Sequence, residues 1–362
     1  MEIRVAKKEE NKKVITFLSK VFTRPFPRLI PSLYGKDKNM MDYHYLVEEN
    51  GKLIGAVCAY PEDIVTSNTT IKGLAIGMVA TLKSARGRGV MTSMLKHVDK
   101  EYPGVDVMFL TGRRHRYEHF GYYPAGACYS FLISSMSIKK WDIGCPFEVV
   151  EAKTENDYRE VDELNNLGKV RVDKPLARES DTLRNWFSKL YLIKEQGKTV
   201  GFASGKFFKG HVLERIFIKD GKVQDYVQGV LAYKKYKGTT NLKVDVLPHE
   251  SALKEAMHMV SEEWSINSHE KYKVVSYARL IKKLLTVTLE EKYLNDFSFV
   301  VEIVGREKLL VSVKEGEVIV EESTQEPDLT LSEAQAIASL FGGEESIVNG
   351  MVKIALRHSD FI

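Results

Sequence analysis

Met78-Val79-Ala80-Thr81-Leu82-Lys83-Ser84-Ala85-Arg86-Gly87-Arg88-Gly89-Val90-Met91 is the stretch on which the reading of this chain turns. Met78 to Thr81 ends a run, from about Ile71, that reads as a strand. After the Arg86-Gly87-Arg88-Gly89 turn, Val90, Met91, Met94, Leu95 and Val98 recur at helical spacing and share one buried face. The amides of the turn and of the first helical turn have no intrahelical acceptors, and the helix dipole adds partial positive charge there. Glycine lets the backbone approach a phosphate with no Cβ in the way, and Arg86 and Arg88 add charge. A pyrophosphate fits such a turn. No GKS or GKT follows, so it is not a Walker loop, and it is not GxGxxG.

Upstream, residues 2–6 predict a short strand and Glu9 to Val21 a helix, followed by a loop with Pro25, Pro27 and Pro31. Tyr43 to Val47 and Leu53 to Val57 flank Asn50-Gly51, which suits a type I′ hairpin turn because both central residues tolerate positive φ. Downstream, Val105 to Leu110 and Tyr122 to Leu132 predict two more strands. The segment Leu46 to Gly55 is echoed at Leu192 to Gly201, again strand, Gly turn, strand, and Leu242 to Leu247 predicts a later strand of the same plan. The echo has Gln224 to Lys237 where the first copy has its glycine-rich helix start, and the phosphate cradle is missing there. A third unit begins near 285, with strands at 297–304, 309–313 and 317–321 and a turn at Glu315-Gly316. Ser332-Glu333-Ala334-Gln335 is a capping box opening a helix that stops at Gly342-Gly343.

The 362 residues are enough for two or three domains. At 44% hydrophobic and 28% charged, the composition excludes disorder and collagen-like repeats. No long uncharged apolar run predicts a membrane span, and no leader is read at the N-terminus. The net charge of +4 is too weak for bulk nucleic-acid binding, and Arg113-Arg114-His115-Arg116 reads as a solvated loop. Three scattered cysteines, Cys58, Cys128 and Cys145, exclude a disulfide framework or cysteine-rich zinc site, and a cytoplasmic setting is expected. His115 and His119 have no third ligand, so no metal is expected. Trp186 and Trp264 read as core of the echo unit.

Arg86-x-x-Gly89-x-Met91 resembles the acetyl-CoA signature of the GNAT N-acetyltransferases, with Met91 in place of the usual small residue. Arg116-Tyr117-Glu118-His119-Phe120-Gly121-Tyr122-Tyr123-Pro124-Ala125 resembles a stretch of the Eis-like (enhanced intracellular survival) acetyltransferases. The resemblance implies an α+β protein: a catalytic GNAT domain (1–145), a degenerate GNAT-like domain (146–284) and a sterol-carrier-protein-like domain (285–362), with mixed, mostly antiparallel sheets. It implies an acetyl-CoA-dependent N-acetyltransferase acting on primary amines, polycationic small molecules such as aminoglycosides among them, in a homo-oligomer (trimer or hexamer).

Carried onto this sequence, the resemblance implies backbone groups of Val79, Ala80 and Thr81 for the pantetheine arm, one of them stabilising the carbonyl oxygen. It implies Gly87, Arg88, Gly89, Val90, Met91 and Thr92 for the pyrophosphate, with Arg86 beside it, and Tyr117 and Glu118 on a loop touching the cosubstrate. Tyr122 is the implied general acid, a phenol with an ordinary pKa near 10 that can protonate a departing thiolate. The implied general base is the α-carboxylate of Ile362, whose apolar side chain would anchor it. Two rivals remain: a lipid- or sterol-binding module, expected to show an open apolar tunnel in the third unit, and a protein that binds CoA without turnover.

Overall fold

The computed structural model describes all residues except 67, 142–143, 169, 176, 269, 292–293 and 342–362. The chain opens with β1 (Arg4–Val5), α1 (Asn11–Phe22) and two single-turn helices, α2 (Phe26–Leu29) and α3 (Pro31–Tyr34). Then come β2 (His44–Glu49), β3 (Lys52–Pro61), β4 (Asp63–Val65), β5 (Thr70–Ile71), β6 (Gly73–Thr81), α4 (Val90–Glu101), β7 (Val107–Thr111), α5 (Arg114–Tyr117), β8 (Tyr123–Pro124) and β9 (Cys128–Ile133). The middle of the chain forms α6 (Ser135–Trp141), β10 (Phe147–Glu151), α7 (Glu155–Asn165), β11 (Arg171–Asp173), α8 (Glu179–Thr182), β12 (Lys189–Glu195), β13 (Lys198–Phe207), β14 (His211–Ile218), α9 (Val223–Lys237), β15 (Leu242–Val246) and α10 (Ser251–Val260). It ends with β16 (Glu263–Asn267), β17 (Glu270–Val274), α11 (Tyr277–Glu291), β18 (Phe297–Ile303), β19 (Glu307–Lys314), β20 (Glu317–Glu322), β21 (Leu329–Leu331) and α12 (Glu333–Phe341).

Two seven-stranded sheets share one plan, in the orders β1-β2-β3-β6-β7-β17-β8 and β10-β12-β13-β14-β15-β9-β16. The β2–β3 turn holds Asn50 at φ 49° and Gly51 at φ 72°, and the β12–β13 turn holds Gln196 and Gly197 at φ 48° and 78°. The sequence echo is thus also an echo of backbone conformation, the left-handed pair that a type I′ turn requires. Each sheet has one parallel pair at its centre, β6 with β7 and β14 with β15, and both pairs run for only three residues before the strands part.

The single strand expected over Tyr122 to Leu132 is instead two strands in different sheets. β8 is the edge of the first sheet, whereas β9 crosses over and inserts between β15 and β16 of the second. β17 makes the reverse crossing and inserts between β7 and β8. The two crossing segments run antiparallel, β8 with β17 and β9 with β16, as one ribbon joining both sheets. Gly126, at φ 81°, marks the break between β8 and β9, a conformation that costs an ordinary residue roughly 1 kcal/mol or more.

The four-stranded sheet β20-β19-β18-β21 is covered by α11 and α12. Ser332 Oγ accepts from the Gln335 amide at 3.3 Å while Gln335 Oε1 accepts from the Ser332 amide at 2.9 Å, the reciprocal cap expected from sequence. The expected stop at Gly342-Gly343 lies outside the described residues. This unit shares a core with the first sheet: Tyr272 of β17 stacks on Phe341 of α12 at 4.4 Å. Buried Asp106 ties α11 down by accepting from Lys283 Nζ at 2.6 Å and the Lys72 amide at 2.7 Å. A buried carboxylate is stable only with such partners, so these bonds fix the third unit on the first.

Candidate acetyl-donor site

β6 carries an irregularity next to the glycine-rich turn. Ala56 of β3 faces Ala80, yet Cys58 faces Gly77, so β6 has one residue more than its partner over this span. The extra residue is taken up at Met78, whose φ of 48° lies in the left-handed region. A bulge of this kind leaves backbone groups unpaired and turns them outward. On its other edge β6 pairs with β7 only over Gly73–Ala75, so the end of β6, Gly77 to Thr81, borders an open wedge.

The turn that follows places Gly87 at φ 76° and Gly89 at φ 75°, with open space where a Cβ would stand at either. Gly89 is the N-cap of α4, no side chain caps that helix, and its first turn has no acidic residue. The amides there are left for a ligand, and the helix dipole favours an anion. Gly55 of β3 brings α4 close: a Cβ at Gly55 would stand 2.6 Å from Val90 Cγ1.

These elements line a cavity of about 750 Å³. Val79, Thr81, Arg86, Gly87, Gly89, Val90, Met91 and Thr92, all named from sequence, form one side. Ala80 faces the core, and Arg88 turns away, its guanidinium donating to Glu49 at the β2–β3 turn. Sequence reasoning missed Val21 and Phe22 at the end of α1, Ala85, and His115, Arg116 and His119 in and just after α5. Among the described residues, no carboxylate lines this cavity. The basic run at 113–116, read from sequence as a solvated loop, is exposed, and two of its residues, His115 and Arg116 of α5, also line the cavity.

Tyr122 does not line the cavity. Its side chain is buried, its hydroxyl donates to Met108 Sδ at 3.5 Å, and Lys273 Nζ lies 5.6 Å from its ring centre. Burial, with Asp99 nearby, pushes its phenol well above the ordinary value. Tyr117 is half-buried and directly follows two wall residues, His115 and Arg116. Its ring packs over Gly112 and meets Tyr122 edge-on at 6.3 Å, and burial raises its phenol too. Glu118 pairs with Arg114 at 2.9 Å and points away from the cavity wall. Ile362 lies outside the described residues. Trp264, read as core, is half exposed on β16, the edge strand of the second sheet, with one side of its ring against His258 of α10 at 5.2 Å. Trp186 is half-buried against the first core.

Residues 2–125 match the family model described as an acetyltransferase (GNAT) domain. GNAT domains use acetyl-CoA as cosubstrate. No curated protein matches the chain. Its fold is that of a GCN5-related N-acetyltransferase from Anabaena variabilis, at 14% identity over 100% of both chains with a TM-score of 0.71. A GCN5-related N-acetyltransferase from Kribbella flavida aligns at 13% identity, over 99% of this chain and 95% of its own, with a TM-score of 0.67. Eis1 from Mycobacterium abscessus aligns at 14% identity, over 94% of this chain and 89% of its own, with a TM-score of 0.66. Among the described residues no helix is long and apolar enough to cross a membrane, and no group of three or more His, Cys, Asp or Glu is placed to hold a metal.

Proposed function

We propose that the chain is an acetyl-CoA-dependent N-acetyltransferase acting on primary amines. The observation that carries this is the uncapped start of α4, opening into a cavity free of carboxylates beside the bulged end of β6. Those residues fit the cosubstrate: free amides and Arg86 suit a pyrophosphate, and the unpaired edge of β6 suits an amide-bearing arm. Acetyl-CoA bound there supplies the acetyl group and a thiolate leaving group. The backbone N–H groups freed at Met78 and Val79 are placed to stabilise negative charge on a carbonyl oxygen.

The proton for the departing sulfur comes, in this reading, from Tyr117 in place of Tyr122. Both phenols stay protonated at neutral pH, but only Tyr117 reaches the surface beside the cavity wall. Removing a general acid typically lowers kcat about a hundredfold or more. Tyr117→Phe is therefore expected to lose at least that much with KM for acetyl-CoA little changed, and Tyr122→Phe to stay within about threefold. The reverse order would return the role to Tyr122. The base is the carboxylate that the resemblance implies at Ile362, and a one-residue C-terminal extension that leaves kcat intact would remove it.

The first unit is read as catalytic, the second as a structural repeat and the third as sterol-carrier-like. Aminoglycosides are the first acceptors to assay, within a panel of primary amines and with thiol release as the readout. The third unit also encloses an apolar cavity of about 140 Å³ lined by Ile281, Phe297 and Leu340 among others, the feature that favours the lipid-module reading. That reading predicts binding of a fluorescent fatty acid that survives Gly89→Val.

A further inference from the structure

We infer that a second cavity, between the first and second units, binds a free α-amino acid as a zwitterion, its carboxylate on Lys174 and its ammonium on Asp63. The cavity measures about 590 Å³. Pro61 and Asp63 border it from the first unit, and the end of α7, β11 and the segment up to Glu179 border it from the second. β11 pairs with β4 across this junction, in a register that sets Asp173 directly opposite Asp63. Like charges so opposed repel unless a cation joins them.

Most charged groups of the lining are already matched. Arg171 donates to Asp173 at 3.1 Å, Arg178 pairs with Glu155, and Arg215 donates to Glu179 at 2.7 Å. Asp162 accepts from the Ser180 amide and hydroxyl at 2.7 and 3.0 Å. Two groups of opposite sign are not matched. The Lys174 side chain is 3% exposed, and its ammonium has no hydrogen-bond acceptor among the described residues. Glu62 Oε1 stands 3.9 Å from it, beyond hydrogen-bond reach, and Glu62 does not line the cavity. An ammonium buried without acceptors is costly, and a carboxylate oxygen in the cavity would relieve it. Asp63 accepts from the Gly73 amide at 3.2 Å and has no ion-pair partner among the described residues. Burial raises its carboxyl above the ordinary value, an effect that a bound ammonium opposes. An α-amino acid carries both of the missing charges on one carbon. Gly73 begins β6, and Val79 lies six residues further along it, about 20 Å away. An amine held at Asp63 is therefore out of reach of an acetyl group in the first cavity.

The test is titration calorimetry of the full chain, without acetyl-CoA, against L-lysine. This probe suits a lining that holds, among the described residues, one carboxylate more than it has cations. Cadaverine, which is L-lysine without its carboxylate, is the comparison. L-Lysine is expected to bind at least tenfold more tightly than cadaverine, the size of one charge-assisted hydrogen bond. Lys174→Met is expected to abolish that preference. Asp63→Asn, whose Oδ1 still accepts from Gly73, is expected to weaken L-lysine about tenfold. Because Lys174→Met leaves the buried Glu62 carboxylate without this ammonium, the double variant Glu62→Gln with Lys174→Met is titrated too, with the same loss expected. No binding of L-lysine overturns the site, as does equally tight binding of cadaverine. So does an L-lysine affinity that survives both Lys174 variants.

Discussion

The two seven-stranded sheets carry the same strand–turn–helix unit, and only one of them leaves the start of its helix uncapped. In the first, β6 leads through Gly87 and Gly89 to α4, which starts uncapped and without an acidic residue. In the second, β14 leads to α9, whose N-cap Lys222 donates its amide to Asp225 Oδ2 at 2.8 Å. Asp225 is the third residue of its helix and Thr92 is the third of α4. A carboxylate at that position satisfies an orphan amide, neutralises the dipole and repels phosphate. The same topology therefore yields a binding turn or a self-sealed one, according to one side chain and two glycines.

The sheets differ most in their response to acid. His44 of β2 is fully buried, with Nδ1–H donating to the Met40 carbonyl at 2.9 Å and Nε2 accepting from the Tyr34 hydroxyl at 2.7 Å. Burial pushes its pKa down to about 4. The matching position in the echo is Leu190, which cannot titrate. Because the unfolded chain binds this proton at the ordinary 6.5 and the folded one only near 4, stability is complete above about pH 6.5 and is lost as pH falls toward 4. The loss amounts to roughly 3 kcal/mol. Denaturant melts of His44→Gln across that range should show a flatter slope; an unchanged slope would place the acid sensitivity elsewhere.

A direct way to erase the difference is Thr92→Asp, which gives α4 the cap that α9 has. We expect acetyl-CoA affinity to fall about a hundredfold, while the melting temperature holds or rises slightly. Calorimetry showing unchanged affinity would mean that the turn does not hold the pyrophosphate.

The smallest contrast lies at the paired glycines of the echo. A Cβ at Gly201 would stand 2.3 Å from the Phe217 carbonyl oxygen, whereas one at Gly55 would meet side-chain atoms of Val90 and Met94. Backbone yields less than side chains, so Gly201→Ala should cost about 2 kcal/mol and Gly55→Ala about 1. Equal thermal shifts would remove this distinction.

Much of the fold was legible because its signals are local. Asn50-Gly51 and Gln196-Gly197 announce their turns through tolerance of positive φ, and the reciprocal cap of Ser332 and Gln335 needs only three residues of spacing. The glycine-rich turn announced the uncapped start of α4 in the same way. The side of the cavity contributed by α5 was not legible, because four basic residues in a row look alike whether they face a solvent or a ligand.

The amino-acid order by itself determined the turns, the helix caps, the repeat of the β-hairpin plan and the glycines that open α4, since each depends on the conformational preference of one or two residues. Only the tertiary structure decided that β9 and β17 exchange sheets, that Tyr122 is sealed against Met108 while Tyr117 stays at the surface, and that Arg116 and Arg86 line one cavity. A strand's alternation of apolar residues is the same whichever neighbour it pairs with, so partnership, and with it exposure, is set by packing between segments far apart in the chain.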